Sequence, residues 1–493
     1  MTIKIDVTSA EHVQLMRLTE AVRELNDIQS AAGLDPLVLV SRQGKLVSPA
    51  RSDLRTLTVD SLAATIRSVC EPGRFKKDGE DLAWVPQSKV PRDLVRAYMD
   101  SGHWPGVPEV RSIATTPLVR PDFTVRWATG WDAATSVWVK KGVVEDRSLI
   151  GRDLRGLFKE FSLVDRRLEA DCLAAALTPL LAHALSGALP GFIVTAPKPS
   201  SGKSELAQLM ARIGGAGGDT VTRWPGRDEF TKTVSSYVAD SEGVVIFDNI
   251  KSHMDSPDLE SVMTSRRTSF REMFTHGTRA LRSDTTWFFT VNGAHVSPDI
   301  LRRCVVVLLD TERHPAVWTG TVPTNTRKHE AALVTLLVSQ IEAWRDVGSP
   351  MGAVRHPGFE QWSGVVSGIL EHAGIDGMWD ARSSVISEAV SVAGEDDGDL
   401  LERIADLMGA DEFTSTELWE QADSKSFDAR VRVIRDYLKS ARSAGAMLRP
   451  LKGRTFEGSP YRLEARRSNG KGLWKVARTD GKAVVASVDV QCA

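Results

Sequence analysis

The sequence predicts an α/β core, a parallel sheet sandwiched by helices. A small α+β domain precedes it, and a basic domain of three helices and a hairpin follows it. Three observations carry that prediction. Gly191-Phe-Ile-Val-Thr-Ala-Pro-Lys-Pro-Ser-Ser-Gly-Lys-Ser204 reads as a buried strand, a tight loop and the start of a helix over Glu205–Arg212. Gly243-Val-Val-Ile-Phe-Asp-Asn249 is a continuous apolar run ending in an acid, the pattern of a parallel strand buried on both faces. Thr286-Trp-Phe-Phe-Thr-Val-Asn292 is another such strand ending in an amide, followed by Asp299-Ile-Leu-Arg-Arg-Cys304 and the strand Val305-Val-Val-Leu-Leu-Asp310.

The first segment has the context of a phosphate-binding loop. Successive backbone N–H groups at the helix N-terminus would cradle phosphates, with Pro197, Lys198, Pro199, Ser200, Ser201 and Gly202 forming the loop around them. Lys203 would reach the β- and γ-oxygens, and the Ser204 hydroxyl would hold Mg²⁺. Pro197 occupies the usual first-glycine slot, so the strict pattern fails at one position. The competing reading is a surface loop that contains Gly-Lys-Ser by chance, and the flanking strand and helix weigh against it. Asp248 should emerge at the C-terminal edge of its strand, beside that loop, and support the metal opposite Ser204. Strand–loop–helix, strand–Asp, strand–Asn, then arginines is the order of an AAA+ P-loop NTPase core. ATP and Mg²⁺ are the expected cofactors.

The chain has 493 residues, too many for one ordinary domain. Its net charge of −2 gives no overall basic excess that would advertise nucleic acid, but charge is unevenly distributed. Cys70, Cys172, Cys304 and Cys492 are far apart, which indicates neither a zinc site nor a disulfide framework and fits a reducing cytoplasm. No signal-peptide pattern opens the chain, and no apolar run reaches the ~18 residues of a membrane span.

Residues 1–150 are expected to form the α+β domain. Helices are predicted near Glu11–Ala32, Val59–Val69 and Pro91–Ser101, with a hairpin over Leu37–Val47 turning at Gln43-Gly44. No Asp-x-Asp pair suggests a polymerising site there. Residues 151–320 hold the ATPase core and its preceding helix, Ala170–Ser186, stopped at Gly187. Residues 321–394 read as a helical segment closing the core, with helices over His329–Val347 and Phe359–Ala373. The acidic tract Glu395–Asp399 reads as a linker.

Residues 400–485 have a separate character. Helices are predicted over Leu400–Met408, Ser415–Ala422 and Ala429–Ala444, the second opened by the capping-box pattern Thr414-Ser-Thr-Glu417. Tyr461–Ala465 and Gly472–Ala477 then form a hairpin, which completes a winged-helix order. Between Lys425 and Lys482 there are sixteen Lys/Arg against five Asp/Glu. Arg430, Arg432, Arg435, Lys439 and Arg442 could line one helix, with Arg466, Arg467 and Lys471 on the wing, a surface suited to neutralising DNA phosphates. A solvated face, or a surface docked on an acidic neighbour, is the plainer alternative.

Over roughly residues 35–375 the sequence resembles the helicase part of primase–helicase proteins of phages, prophages and other mobile elements, AAA+ ATPases related to superfamily 3 and MCM-like helicases. Upstream, the resemblance rests on Val90-Pro-Arg-Asp-Leu-Val, on Trp104 through Asp122, and on Gly130-Trp-Asp-Ala-Ala-Thr135. In the core it rests on Ala196–Ser204, Phe247-Asp-Asn249, Asn292-Gly293 and Asp299–Arg303; downstream, on Gly358–Val366 and His372–Gly377. It implies a ring, commonly a hexamer, that threads a DNA strand using ATP in the cytoplasm of a bacterial host, with a separate primase as a further partner.

Carried over by position, the resemblance makes Asn292 the sensor that positions the attacking water, and Arg303 or its neighbour Arg302 the arginine finger of an adjacent subunit's site. A structural salt bridge is the other reading for those arginines. The family's pore loops fall in the interval that holds Arg266, Arg267 and Arg271, which could instead pair with a neighbouring subunit's acids. The acid pair is Asp248-Asn249, so the glutamate expected to polarise water is absent from that slot. Glu229 is a candidate base, or else an ordinary helix-surface acid.

The leading function is an ATP-dependent DNA helicase acting in replication. The alternative is an ATP-dependent initiator or loader that assembles on origin DNA without processive unwinding. A packaging or transposition ATPase is disfavoured because no nuclease-like carboxylate cluster follows the core.

Overall fold

The computed structural model describes residues 2–31, 39–50, 53–78, 81–140, 144–158, 161–196, 201–214, 221–225, 227–250, 254, 256–271, 278–292, 296–310, 326–380, 400–424, 441–453, 459–468 and 471–479. Three large hydrophobic clusters divide these residues, one in the first hundred or so, one spanning Val119–Met378 and one spanning Leu401–Val476.

In the first cluster, strand Ile3–Asp6 pairs parallel with Cys70–Asp78, which pairs antiparallel with Asp81–Pro86. Leu18 and Val22 of helix Glu11–Ala31, Leu62 and Ile66 of Val59–Ile66, and Val95 of Arg92–Asp100 are buried in one cluster with Ile5. The predicted hairpin turns at Gln43-Gly44, both with positive φ (53° and 67°), which is how a two-residue turn matches strand twist. Farther on, Asp132, 2% exposed, accepts from Arg120 Nε (3.0 Å) and from the Thr135 N–H (3.2 Å) and hydroxyl (2.7 Å). Those bonds give the Gly130–Thr135 motif a structural reason, because a buried carboxylate must be paired.

The central unit is built on five strands: β1 (Gly191–Thr195), β2 (Val221–Arg223), β3 (Val244–Ile250), β4 (Thr286–Val291) and β5 (Cys304–Leu308). Every neighbouring pair is parallel, in the order β2-β3-β4-β1-β5. Side chains alternate faces along a strand, so the adjacent Phe288 and Phe289 point to opposite sides. Phe288 stacks on Phe192 (centroids 5.2 Å apart), which meets Trp362 of a covering helix at 6.3 Å. Phe289 stacks on Phe247 (5.9 Å), which in turn stacks on Phe230 (6.1 Å). Both faces are therefore covered, as the unbroken apolar runs require. Truncating either phenylalanine to alanine should cost about 3–5 kcal/mol.

The helices that supply this cover are α1 (Leu168–Leu181), α2 (Lys203–Ile213), α3 (Arg227–Asp240), α4 (Pro257–Thr264), α5 (Thr326–Asp346) and α6 (Glu360–His372). α2 lies against β1, β3 and β4, and α1 and α5 pack on α2. Every residue of α1 is buried, and its few polar side chains are satisfied. Thr178 donates to Ala174 O (2.7 Å) and accepts from Trp362 Nε1 (2.9 Å). α1 ends at Leu181 rather than Ser186; the N–H groups of Ser186 and Gly187 donate instead to Gln361 Oε1 on α6, at 3.0 and 2.7 Å. Between α4 and β4 a hairpin, Arg267–Arg271 with Thr278–Arg282, stands outside the sheet.

The third cluster follows helix, bridge, helix, helix and hairpin: residues 400–408, a one-residue pairing of Phe413 with Trp474, Ser415–Ser424, Ala441–Leu451, then Tyr461–Ser468 with Lys471–Arg478. The capping box is in place, with Thr414 N donating to Glu417 Oε2 (2.6 Å) and Glu417 N to Thr414 Oγ1 (3.2 Å). Of the predicted helix Ala429–Ala444, positions 429–440 lie outside the described residues, and the helix seen there runs Ala441–Leu451. Among the described residues no helix is long and apolar enough to cross a membrane.

Candidate nucleotide site

β1, β3 and β4 are adjacent and parallel, so their C-terminal ends open on one edge of the sheet. Ser204, in the first turn of α2 after β1, donates its hydroxyl to Asp248 Oδ1 of β3 at 2.6 Å. The chain turns into α2 at Gly202, whose φ of 85° is left-handed backbone that favours glycine. Lys203 is 8% exposed, and its Nζ lies 3.2 Å from Ser201 Oγ. Burial lowers its pKa, against the opposing pull of Asp248 and Glu205. Pro197, Lys198, Pro199 and Ser200 lie outside the described residues.

Asp248 sits in a bulge. Phe247 pairs with Phe289 but Ile250 with Val291, so β3 carries one residue more than β4 across this step. Asn249 takes the extra length with φ 56°, a conformation asparagine tolerates better than most residues. The bulge is closed by Thr290 of β4, a fully buried side chain. Its hydroxyl accepts from Asn249 N (2.7 Å) and donates to Asp248 Oδ1 (2.5 Å). Asn292, just past β4, is held by its N–H donating to Ile250 O (2.9 Å), which keeps it next to the end of β3. The sequence alone does not single out Thr290. Its signal is a lone hydroxyl in the otherwise apolar Trp-Phe-Phe-Thr-Val run.

The two arginines before β5 differ in setting. Arg302 is on the surface, its side chain 64% exposed, with Asp299 Oδ1 2.8 Å away. Arg303 is 14% exposed, donates to Asp299 O, and lies 3.5 Å from Glu260 of α4. Glu229 is exposed on α3 and pairs with Lys232 at 3.0 Å.

Arg266 departs from the pore expectation. It is buried, and its guanidinium donates to Ser283 O (2.8 Å), Leu185 O (3.0 Å) and Ala182 O, with Asp284 Oδ1 at 3.2 Å. Asp284 also meets Arg282 Nε (2.9 Å) and His183 Nδ1 (3.5 Å). Burial would raise the Asp284 pKa, but His183, Arg266 and Arg282 together hold it well below the usual carboxylate range. Burial pushes Arg266 down to about 10, so it stays charged at neutral pH. This cluster ties the base of the hairpin to the turn after α1, and Arg266 is a structural residue rather than a pore contact. Arg267 is exposed on the hairpin, and the side chain of Arg271 lies outside the described residues.

In the basic region, Arg466 is paired through both its Nε and a terminal nitrogen with Glu412, the Nε–Oε1 distance being 2.6 Å. Arg430, Arg435 and Lys439, and the side chains of Arg442, Arg467 and Lys471, lie outside the described residues.

The five-stranded parallel sheet covered by helices on both faces, with Ser204 against Asp248 at its edge, fits an α/β P-loop core. Among the described residues no group of three or more His, Cys, Asp and Glu side chains gathers as a metal cage. A Mg²⁺ held through one carboxylate, one hydroxyl and substrate phosphates needs none, so Ser204 and Asp248 fit that ion.

No protein-family model matches the chain, and no curated protein does. Among solved structures it is similar to the A form apo structure of the NrS-1 C-terminal region, at 10% identity and TM-score 0.36, covering 92% of this chain and 98% of that one. A second A form apo structure of that region gives 11% and 0.37, covering 93% and 100%. SCCmec type IV Cch, described as an active helicase, gives 14% and 0.36, covering 71% and 72%. The fold assignment rests on the sheet order and the site.

Proposed function

We propose that the protein is an ATP-dependent DNA helicase of a phage or mobile genetic element, working as a homo-oligomeric, hexamer-type AAA+ ring. The observation that carries this reading is the Ser204–Asp248 contact at the C-terminal edge of a parallel sheet ordered β2-β3-β4-β1-β5, with Lys203 beside it. The residue-level resemblance of the sequence to helicase parts of mobile-element primase–helicases directs that chemistry to DNA.

In this reading the N-terminus of α2 and Lys203 bind the phosphates, and Ser204 and Asp248 hold Mg²⁺. When bound, that ion neutralises charge developing between the β- and γ-phosphates. Asn292 orients the attacking water from the end of β4. Arg302, the exposed member of its pair, reaches a neighbouring subunit's γ-phosphate, while Arg303 braces α4 through Glu260. Exposed Arg267 on the hairpin contacts the threaded strand, and the basic C-terminal unit, read as a winged helix, holds duplex DNA.

ATP hydrolysis by wild type and Lys203→Ala, with and without single-stranded DNA, tests the reading. Hydrolysis that is DNA-stimulated and lost in the variant supports it. Hydrolysis unaffected by the substitution sinks it.

A further inference from the structure

We propose that Thr290 is the positioning residue for the metal-binding carboxylate Asp248, through the single proton of its hydroxyl. The proposal rests on the nucleotide-site reading above and adds a residue to it. A threonine hydroxyl has one proton to give and two lone pairs to receive with. Here one lone pair is occupied by the Asn249 N–H at 2.7 Å, so the oxygen is fixed from one side and its proton is delivered to Asp248 Oδ1 at 2.5 Å. Ser204 donates to the same Oδ1 at 2.6 Å, so two hydroxyls on two different elements orient one carboxylate.

The two donors are not equivalent. Ser204 lies in the first turn of α2, partly exposed, and in the nucleotide-site reading its oxygen is itself a metal ligand. Thr290 is wholly buried in the strand between β3 and β1, where neither nucleotide nor solvent competes for its hydroxyl. It also supports the bulge that aims Asp248 at the sheet edge, because the Asn249 N–H that the bulge removes from strand pairing is satisfied by the Thr290 hydroxyl. Thr290 therefore acts on the metal through Asp248, in the way outer hydroxyls and carboxylates orient direct ligands elsewhere.

The test titrates Mn²⁺ into the full chain with a non-hydrolysable ATP analogue and reads free Mn²⁺ by electron paramagnetic resonance. A fluorescent ATP analogue in EDTA reports metal-free nucleotide binding. Thr290→Val keeps the shape and removes the hydroxyl; Thr290→Ser restores it. The expectation is Mn²⁺ affinity weakened about tenfold or more in Thr290→Val. Metal-free nucleotide affinity should be unchanged, and Thr290→Ser should bind Mn²⁺ like wild type. If Thr290→Val does not fold, Thr290→Ala is read against the same two outcomes. Wild-type Mn²⁺ affinity in the hydroxyl-free variant overturns the proposal, as does a serine variant no better than valine, which would assign the effect to packing. A wild-type protein that binds no nucleotide overturns the nucleotide-site reading as well, and is thereby distinguished from failure of Thr290 alone.

Discussion

Ser204 and Asp248 are 44 residues apart in sequence and 2.6 Å apart in space, joined by a hydroxyl-to-carboxylate hydrogen bond across the edge of the central sheet. The contact exists because β1 and β3 flank the same strand, β4, so the helix after β1 and the end of β3 face one another. Asp248→Ala should leave the fold intact, since the acid is partly exposed at the edge of the sheet. It should lower ATP turnover by about 10²-fold or more, the scale of losing one electrostatic group in a site of this kind. Steady-state hydrolysis with thermal unfolding as a control checks it.

Arg302 and Arg303 should separate cleanly. Arg302→Ala is expected to lower kcat by about 10³-fold without changing unfolding temperature, as loss of an arginine finger does. Arg303→Ala should instead lower the unfolding temperature, because it releases Glu260 of α4. Kinetics and thermal melts on both variants decide; the reverse assignment would move the finger to Arg303.

Arg266→Ala should destabilise the protein by about 3–5 kcal/mol, because it leaves Asp284 buried beside a missing partner. Arg267→Ala should change stability little and weaken single-stranded DNA binding, reducing the salt slope by about one. Urea unfolding and DNA titrations at several salt concentrations read the two effects. A loss of DNA affinity in Arg266→Ala at unchanged stability would restore that residue to the pore.

Stability should fall in acid partly through Asp284. Its folded-state pKa lies below its unfolded value, so the unfolded chain takes up the proton first as pH drops. The contribution is complete above about pH 4, the ordinary aspartate value, and is lost progressively as pH falls below it toward the folded-state pKa. Urea midpoints between neutral pH and pH 3 should fall less steeply in Asp284→Asn than in wild type.

Much of this architecture was legible because the central strands are buried on both faces and read as unbroken apolar runs with their polar residues at one end. Asp248, Asn292 and Ser204 stood out for that reason. Other features depend on contacts between distant segments. Arg266 looked like a surface cation because its partners, the Ala182 and Leu185 carbonyls and Asp284, come from two other stretches of chain. Thr290 was hidden inside an apolar strand, and only the register shift opposite Asn249 gives its hydroxyl a purpose. The end of α1 is not legible in the sequence because the segment after it is held from far along the chain, its Ala182 and Leu185 carbonyls by Arg266 and its Ser186 and Gly187 N–H groups by Gln361.

The most direct test of the account is strand displacement on a forked DNA substrate with ATP, comparing wild type with Lys203→Ala. The account predicts displacement by wild type and none by the variant. Hydrolysis and DNA binding by wild type with no strand displaced would contradict it and leave an ATP-driven initiator or loader in its place.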